Sequence, residues 1–280
     1  MLAGFTEING LAKFFKIQGV DVSAQFKNLS FFESLGLKVK ALNSDFVYTK
    51  SHIYLDELKV ETPHSTLEGQ VHLLYNRSDF ADFNNKVVFK GFLTDAKISS
   101  NDIAVFSSEI GANLTFDVNT KLQGTLNNLS FNELNIDGLN ETYFFGDINL
   151  KNSFEEDQPF LLQTSFQNFN TKYDDLITLL PDLLIEKLPA EFKKFGIVNM
   201  NGVAKVSKDF ISTSFESKSD LGELDAQLQL NNLSDLKSVS YTGDIKTDNF
   251  QLGKLLDQSK IGLLSMAVNM EGTGFDSANL

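Results

Sequence analysis

Strict alternation of apolar and polar residues, held over unusually long runs, limits what this chain can fold into more than any other feature. Leu114, Phe116, Val118, Leu122 and Leu126 fall on even numbers with Gly124 among them, and Asn113, Thr115, Asp117, Asn119, Lys121, Gln123 and Thr125 fall between. Successive side chains of a β-strand point to opposite faces, so this run reads as a long strand with one apolar and one polar face. Leu224, Ala226, Leu228 and Leu230 alternate in the same way with Glu223, Asp225, Gln227 and Gln229. Two further runs repeat it, Leu264, Met266, Val268 and Met270, and Phe144, Gly146, Ile148 and Leu150. Other runs begin at Val20, Leu37, Val71, Val87, Phe160, Val198, Ile211 and Val239, so roughly fourteen strands are expected, most of them one-sided. Asn43-Ser44-Asp45, Asn76-Arg77-Ser78-Asp79, Asp137-Gly138 and Asn231-Asn232 read as turns between them. The expectation is an all-β fold: one elongated, repeat-built sheet over 1–280, curled along its axis into a groove.

Helical spacing is confined to short inserts, Asn101–Glu109, Thr171–Leu188 and Phe250–Asp257. The second carries Leu176, Leu179, Leu180, Leu183 and Leu184, and is expected to lay this leucine face on one rim or mouth of the groove. The inserts recur in register. Gly91 leads to Ile98 and Ile103 at the spacing by which Gly243 leads to Phe250 and Leu255. An apolar residue followed by glycine then opens a strand at Ile110-Gly111, Phe195-Gly196 and Ile261-Gly262. Degenerate copies are therefore expected to end or start near 20, 98–126, 169–206 and 250–280. A second recurrent string starts at Lys27-Asn28-Leu29-Ser30-Phe31, Asn127-Asn128-Leu129-Ser130-Phe131 and Asn231-Asn232-Leu233-Ser234-Asp235. Both ends read as falling inside a copy, as in a piece of a longer protein.

Composition removes whole classes of function. A net charge of −13 with no basic run argues against nucleic acid, whose phosphates need clustered Lys and Arg. The same charge argues against flat adsorption on anionic headgroups. The chain has no Cys, which removes disulfides, thiolate metal sites and Cys nucleophiles together. It has 26 Phe and 6 Tyr but no Trp, so its apolar mass is smooth rings and branched aliphatics. His52, His64 and His72 lie in no metal-binding frame. Glu155-Glu156-Asp157 lacks the spaced loop that calcium requires, and no nucleophile elbow, Walker loop or dinucleotide fingerprint occurs. No catalytic residue, metal or cofactor is expected.

The strings Asp248-Asn-Phe250-Gln-Leu-Gly-Lys-Leu-Leu256 and Ile261-Gly262-Leu-Leu-Ser-Met-Ala-Val-Asn-Met-Glu-Gly272-Thr-Gly274-Phe275 resemble the TamB/AsmA family, in particular TamB-like translocation and assembly proteins of Bacteroidetes type. The likeness is good over 237–280 and looser at 86–126. It implies a β-taco, a trough of stacked strands with a greasy interior, in the periplasm of a Gram-negative bacterium. It also implies an anchor in the inner membrane and an outer-membrane barrel of the TamA type as partners, each met through other parts of a longer chain. The implied task is passage of phospholipid between the membranes and support of outer-membrane assembly. In that reading Leu114, Phe116, Val118, Leu122, Phe144, Ile148, Leu224, Leu228, Leu230, Leu264, Met266 and Val268 line the groove. Two competing readings use the same alternation: a filled structural or adhesive β-solenoid that binds a partner protein, and a periplasmic chaperone of outer-membrane proteins.

Overall fold

A computed structural model describes residues 4–34, 36–105, 113–155, 157–179, 190–235 and 238–274. The fold is all-β, fifteen strands in the order of the sequence, each antiparallel to the neighbours with which it pairs. They divide between two compact units. The first holds β1 (Phe5–Gln18), β2 (Asp21–Glu33), β3 (Lys38–Tyr48), β4 (His52–Glu61), β5 (Thr66–Leu74), β6 (Val88–Ser99), β7 (Thr115–Thr125) and β8 (Asn128–Gly138). The second holds β9 (Tyr143–Lys151), β10 (Leu161–Lys172), β11 (Ile197–Ser207), β12 (Phe210–Ser219), β13 (Gly222–Asn231), β14 (Ser240–Phe250) and β15 (Leu264–Thr273). Within each unit every strand contacts chiefly the strands before and after it. Each unit is thus an open meander with no second layer among its described residues.

Two sequence readings are corrected. Asn43-Ser44-Asp45 is no turn but the middle of β3. Polar residues suggested a loop there, whereas they serve the neighbouring strands. The Asn-Leu-Ser string is not a structural repeat either. Asn28 lies in mid-β2, Asn128 opens β8, and Asn232 follows β13 with φ near +60°. What the three share is asparagine chemistry, not position.

The even-numbered strands of the first unit are interrupted by β-bulges. Asn28, Glu57, Asp95 and Glu133 take left-handed φ of +48° to +50° in mid-strand, and the pairing slips by one residue at each. Such a residue adds one position to its strand, bends it and raises its twist. In the second unit the pairing slips between Phe166 and Asn168 in β10, and at Asn249 (φ +53°) in β14. Pairing of β12 with both neighbours is regular throughout.

The helical inserts are short and pinned. They are α1 (Phe83–Lys86), preceded by a 3-10 turn over Arg77–Asp82, then α2 (Ser100–Ile103), α3 (Tyr173–Leu179) and α4 (Leu252–Leu255), with a 3-10 turn over Ala190–Phe195 before β11. The inserts expected at 101–109, 171–188 and 250–257 correspond to α2, α3 and α4, and residues 106–109 and 180–188 lie outside the described ones. Thr171 and Lys172 belong to β10 rather than to the helix. Each of these three inserts follows an even strand and staples itself to the turn two strands back. In α2, Asp102 accepts from Thr62 and Ser65 hydroxyls at 2.5 Å in the β4–β5 turn. In α3, Asp175 accepts from the Glu141 N–H at 2.8 Å and the Thr142 hydroxyl at 3.1 Å in the β8–β9 turn. Ahead of α4, Gln251 donates to the carbonyls of Leu221 (2.7 Å, from its N–H) and Asp220 (2.9 Å, from its side chain) in the β12–β13 turn. Both aspartates are buried, and accepting several donors is what makes a buried carboxylate tolerable. The insert at α1 was not legible as helical. Its preceding 3-10 turn packs Phe80 against Tyr75 at 4.5 Å between ring centres.

Candidate functional site

The site is a face rather than a pocket. In the first unit the register places Ala24, Phe46, Leu55, Val71, Gly91 and Leu122 side by side across six strands. Phe116, Val118 and Leu122 of the expected lining stand on this face, opposite Ile98, Ala96 and Gly91. In the second unit one row runs Gly146, Phe166, Gly202, Phe215, Ala226, Ile245 and Val268 from β9 to β15. Phe144, Ile148, Leu224, Leu228, Leu230, Leu264, Met266 and Val268 all lie on that face through the same pairings. Leu114 lies apart. It precedes β7 and is buried beside α2, where its N–H donates to the Ser100 hydroxyl at 2.9 Å and its carbonyl accepts from the Ser100 N–H at 3.0 Å. Of the expected rim helix, Leu176 and Leu179 are half-buried in α3, and Leu180, Leu183 and Leu184 lie outside the described residues.

The even strands contribute lining that alternation alone did not reveal. Leu58, Ala96 and Leu134 are buried at the bulges of β4, β6 and β8, and Phe166 at that of β10. Each follows or precedes a one-residue slip, so its parity changes in mid-strand. The available signal was that slip itself: Ala24 and Phe26 give way to Leu29 and Phe31. Two glycines of the second unit let aromatic rings lie across the sheet. A Cβ on Gly202 would stand 2.7 Å from the Phe215 Cα, and one on Gly146 would stand 2.8 Å from the Phe166 Cα.

The opposite face is wet and charged. Cross-strand ion pairs cross it at Lys59–Glu68 (2.8 Å), Lys97–Asp117 (2.5 Å) and Lys121–Glu133 (2.6 Å) in the first unit, and at Lys218–Glu223 (2.8 Å) in the second. All are solvent-exposed, so they keep this face in water rather than hold the fold together. His72 lies there too, 2.7 Å from Asp56. Partial burial pushes the Asp56 carboxyl up, but hydrogen bonds from His72 and Gln70, with the nearby His72 charge, leave it below its ordinary value. His52 meets the Ser51 hydroxyl at 2.7 Å and His64 sits exposed in the β4–β5 turn. Among the described residues no three His, Asp or Glu side chains come together as a metal set would, and no helix is long and apolar enough to cross a membrane.

The arrangement can therefore offer apolar contact along one face and hydration along the other. No protein-family model, curated protein or solved structure matches the chain.

Proposed function

We propose that this chain is a segment of a periplasmic lipid conduit, in which phospholipid acyl chains move along the apolar face while headgroups stay in water. The observation that carries this reading is the mainly apolar face of each meander, uncovered by a second layer among the described residues and backed by a mainly polar one. A filled solenoid would bury such a face against its own chain. Sliding acyl chains need smooth apolar walls without hydrogen-bonding rungs, and keeping headgroups wet avoids their desolvation. The chain carries out no covalent chemistry in this reading. As in the TamB-like proteins it resembles, an inner-membrane anchor and an outer-membrane barrel of the TamA type would supply the two ends of the route and the link to outer-membrane assembly.

One observation favours the chaperone reading as runner-up. β1 is exposed along its whole length, with Phe14 83% accessible, and among the described residues pairs on one side only. Such an edge suits the strand of an unfolded outer-membrane protein.

The test is native mass spectrometry of the segment purified from a Gram-negative host, with matched variants. Phospholipid should co-purify with the native chain and with Gln227→Asp, on the polar face. Leu228→Asp, one residue along on the apolar face, should lose at least tenfold of the lipid while circular dichroism stays unchanged. Equal lipid in the two folded variants, or none in the native chain, would refute the conduit. Retention of unfolded barrel protein in place of lipid would favour the chaperone.

A further inference from the structure

We infer that the bulges of β2, β4, β6 and β8 form a built crease across the first unit, and that two dipeptide steps, Asn43-Ser44 on β3 and Asn119-Thr120 on β7, clip it. This holds whatever the apolar face carries. Each step lies on an odd strand between two bulged even ones. Neighbouring residues of a strand face opposite sides of the sheet, and in each pair one residue serves the bulge of one flanking strand and the other the bulge of the other. The Asn28 N–H of β2 donates to Asn43 Oδ1 at 3.1 Å, while Ser44 Oγ donates to the Asp56 carbonyl of β4 at 2.9 Å. On β7 the pattern returns. The Asp95 N–H of β6 donates to Asn119 Oδ1 at 3.0 Å, and Thr120 Oγ1 donates to the Asn132 carbonyl of β8 at 3.1 Å.

A bulge sets two residues against one and takes backbone groups out of the ladder. Left dry and unbonded, such groups are costly. Ser44 and Thr120 are hydroxyl residues on an otherwise apolar face, 3% and 5% accessible, and supplying these bonds accounts for their presence there. The same line holds Leu58, Ala96 and Leu134, all buried, although no second layer covers this face among the described residues. Burial without a cover is what a sheet bent toward its apolar side produces.

The native chain contains no Cys, so a pair of spin labels can be placed cleanly. Thr115→Cys and Gln123→Cys put both on the exposed polar side of β7, four residues either side of Asn119. Eight steps of a straight strand span about 26 Å. Bending toward the apolar face splays labels on the outer side and lengthens that distance. Deleting Asp95 and Glu133 together removes the bulges flanking β7 yet leaves every side chain on its present face. The label distance should then shorten by several ångströms. Asn119→Ala with Thr120→Val should keep the bulges but broaden the distribution. An unchanged distance in the deletion variant, or an unchanged width in the clip variant, would overturn the crease or its clips respectively. Should the deletion variant fail to fold, the clip variant alone decides, and an unbroadened distribution refutes the inference.

Discussion

β13 and β6 do the same work in opposite styles. β13 keeps Leu224, Ala226, Leu228 and Leu230 on one parity from end to end, and pairs regularly with β12. β6 carries Phe89, Gly91 and Leu93 on odd numbers, passes the bulge at Asp95, and continues with Ala96 and Ile98 on even ones. Both strands present one apolar face, but only β13 announces it in the sequence. Alternation is thus a property of the pairing ladder, and it survives in the sequence only where the ladder has no extra residue.

Four substitutions and one titration can break or sharpen this contrast. The largest effect is expected on an odd strand. Gly202→Ala forces a Cβ against the Phe215 Cα and the Ser214 carbonyl, and neither backbone atom can move aside. A loss of about 1–3 kcal/mol is expected from denaturant unfolding, as for other overpacked sites; full stability would mean that Phe215 does not lie over this strand as described.

Next comes the staple at the end of an even strand. Asp175→Ala leaves the Glu141 N–H and the Thr142 hydroxyl without this acceptor, although Thr142 keeps a 3.0 Å bond to Thr171. It should cost about 1–2 kcal/mol and speed amide exchange in the β8–β9 turn. Unaltered exchange there would show that α3 is held by its leucines alone.

A smaller effect of opposite sign tests the bulges directly. Asp95→Gly relieves a left-handed residue at φ +50° and should be neutral or stabilise by about 1 kcal/mol. Asp117→Gly, in the regular ladder opposite, should cost about 0.5–1 kcal/mol. Equal losses in thermal melts would remove the distinction between the two strand types.

The smallest effect is a pH dependence at the β4 bulge. Since the folded Asp56 carboxyl lies below its ordinary value, the unfolded chain binds more protons as the solution is acidified. Its contribution is complete above the ordinary carboxylate value and is lost as pH falls through the folded one. Asp56→Asn should flatten that part of the stability profile, and an identical profile in the variant would assign the acid sensitivity elsewhere.

The expected lining came from β7, β9, β13 and β15, with Leu114 just ahead of β7, and every one of those strands is odd-numbered. Most even strands were missed for a physical reason: in β2, β4, β6, β8, β10 and β14 a slip shifts parity, and a period-2 reading sees two short runs instead of one long strand, whereas β12 is regular. Asn43-Ser44 shows the same limit from the polar side. Read alone, the pair has turn chemistry, and only the neighbouring strands reveal that its side chains complete their backbones. Asn119 reads as one more residue of a free polar face, yet it holds the Asp95 N–H. The helical inserts were visible through their spacing, but their anchors were not, because Thr62, Ser65 and Thr142 lie tens of residues away from the helices they hold.

Those anchors also govern how such a chain reaches its structure. Asp102 reaches back 40 residues to Thr62, Asp175 33 to Thr142, and Gln251 31 to Asp220, while the longest tie among the described residues, Lys194 to Asp257, spans 63. Among the described residues, most other contacts join strands adjacent in the chain. Contact order is therefore low for an all-β protein, and the entropic toll of closing long loops is largely avoided. Hairpins can form in chain order, each group of four locked by its insert before the next is complete, so that little apolar surface waits for a distant partner.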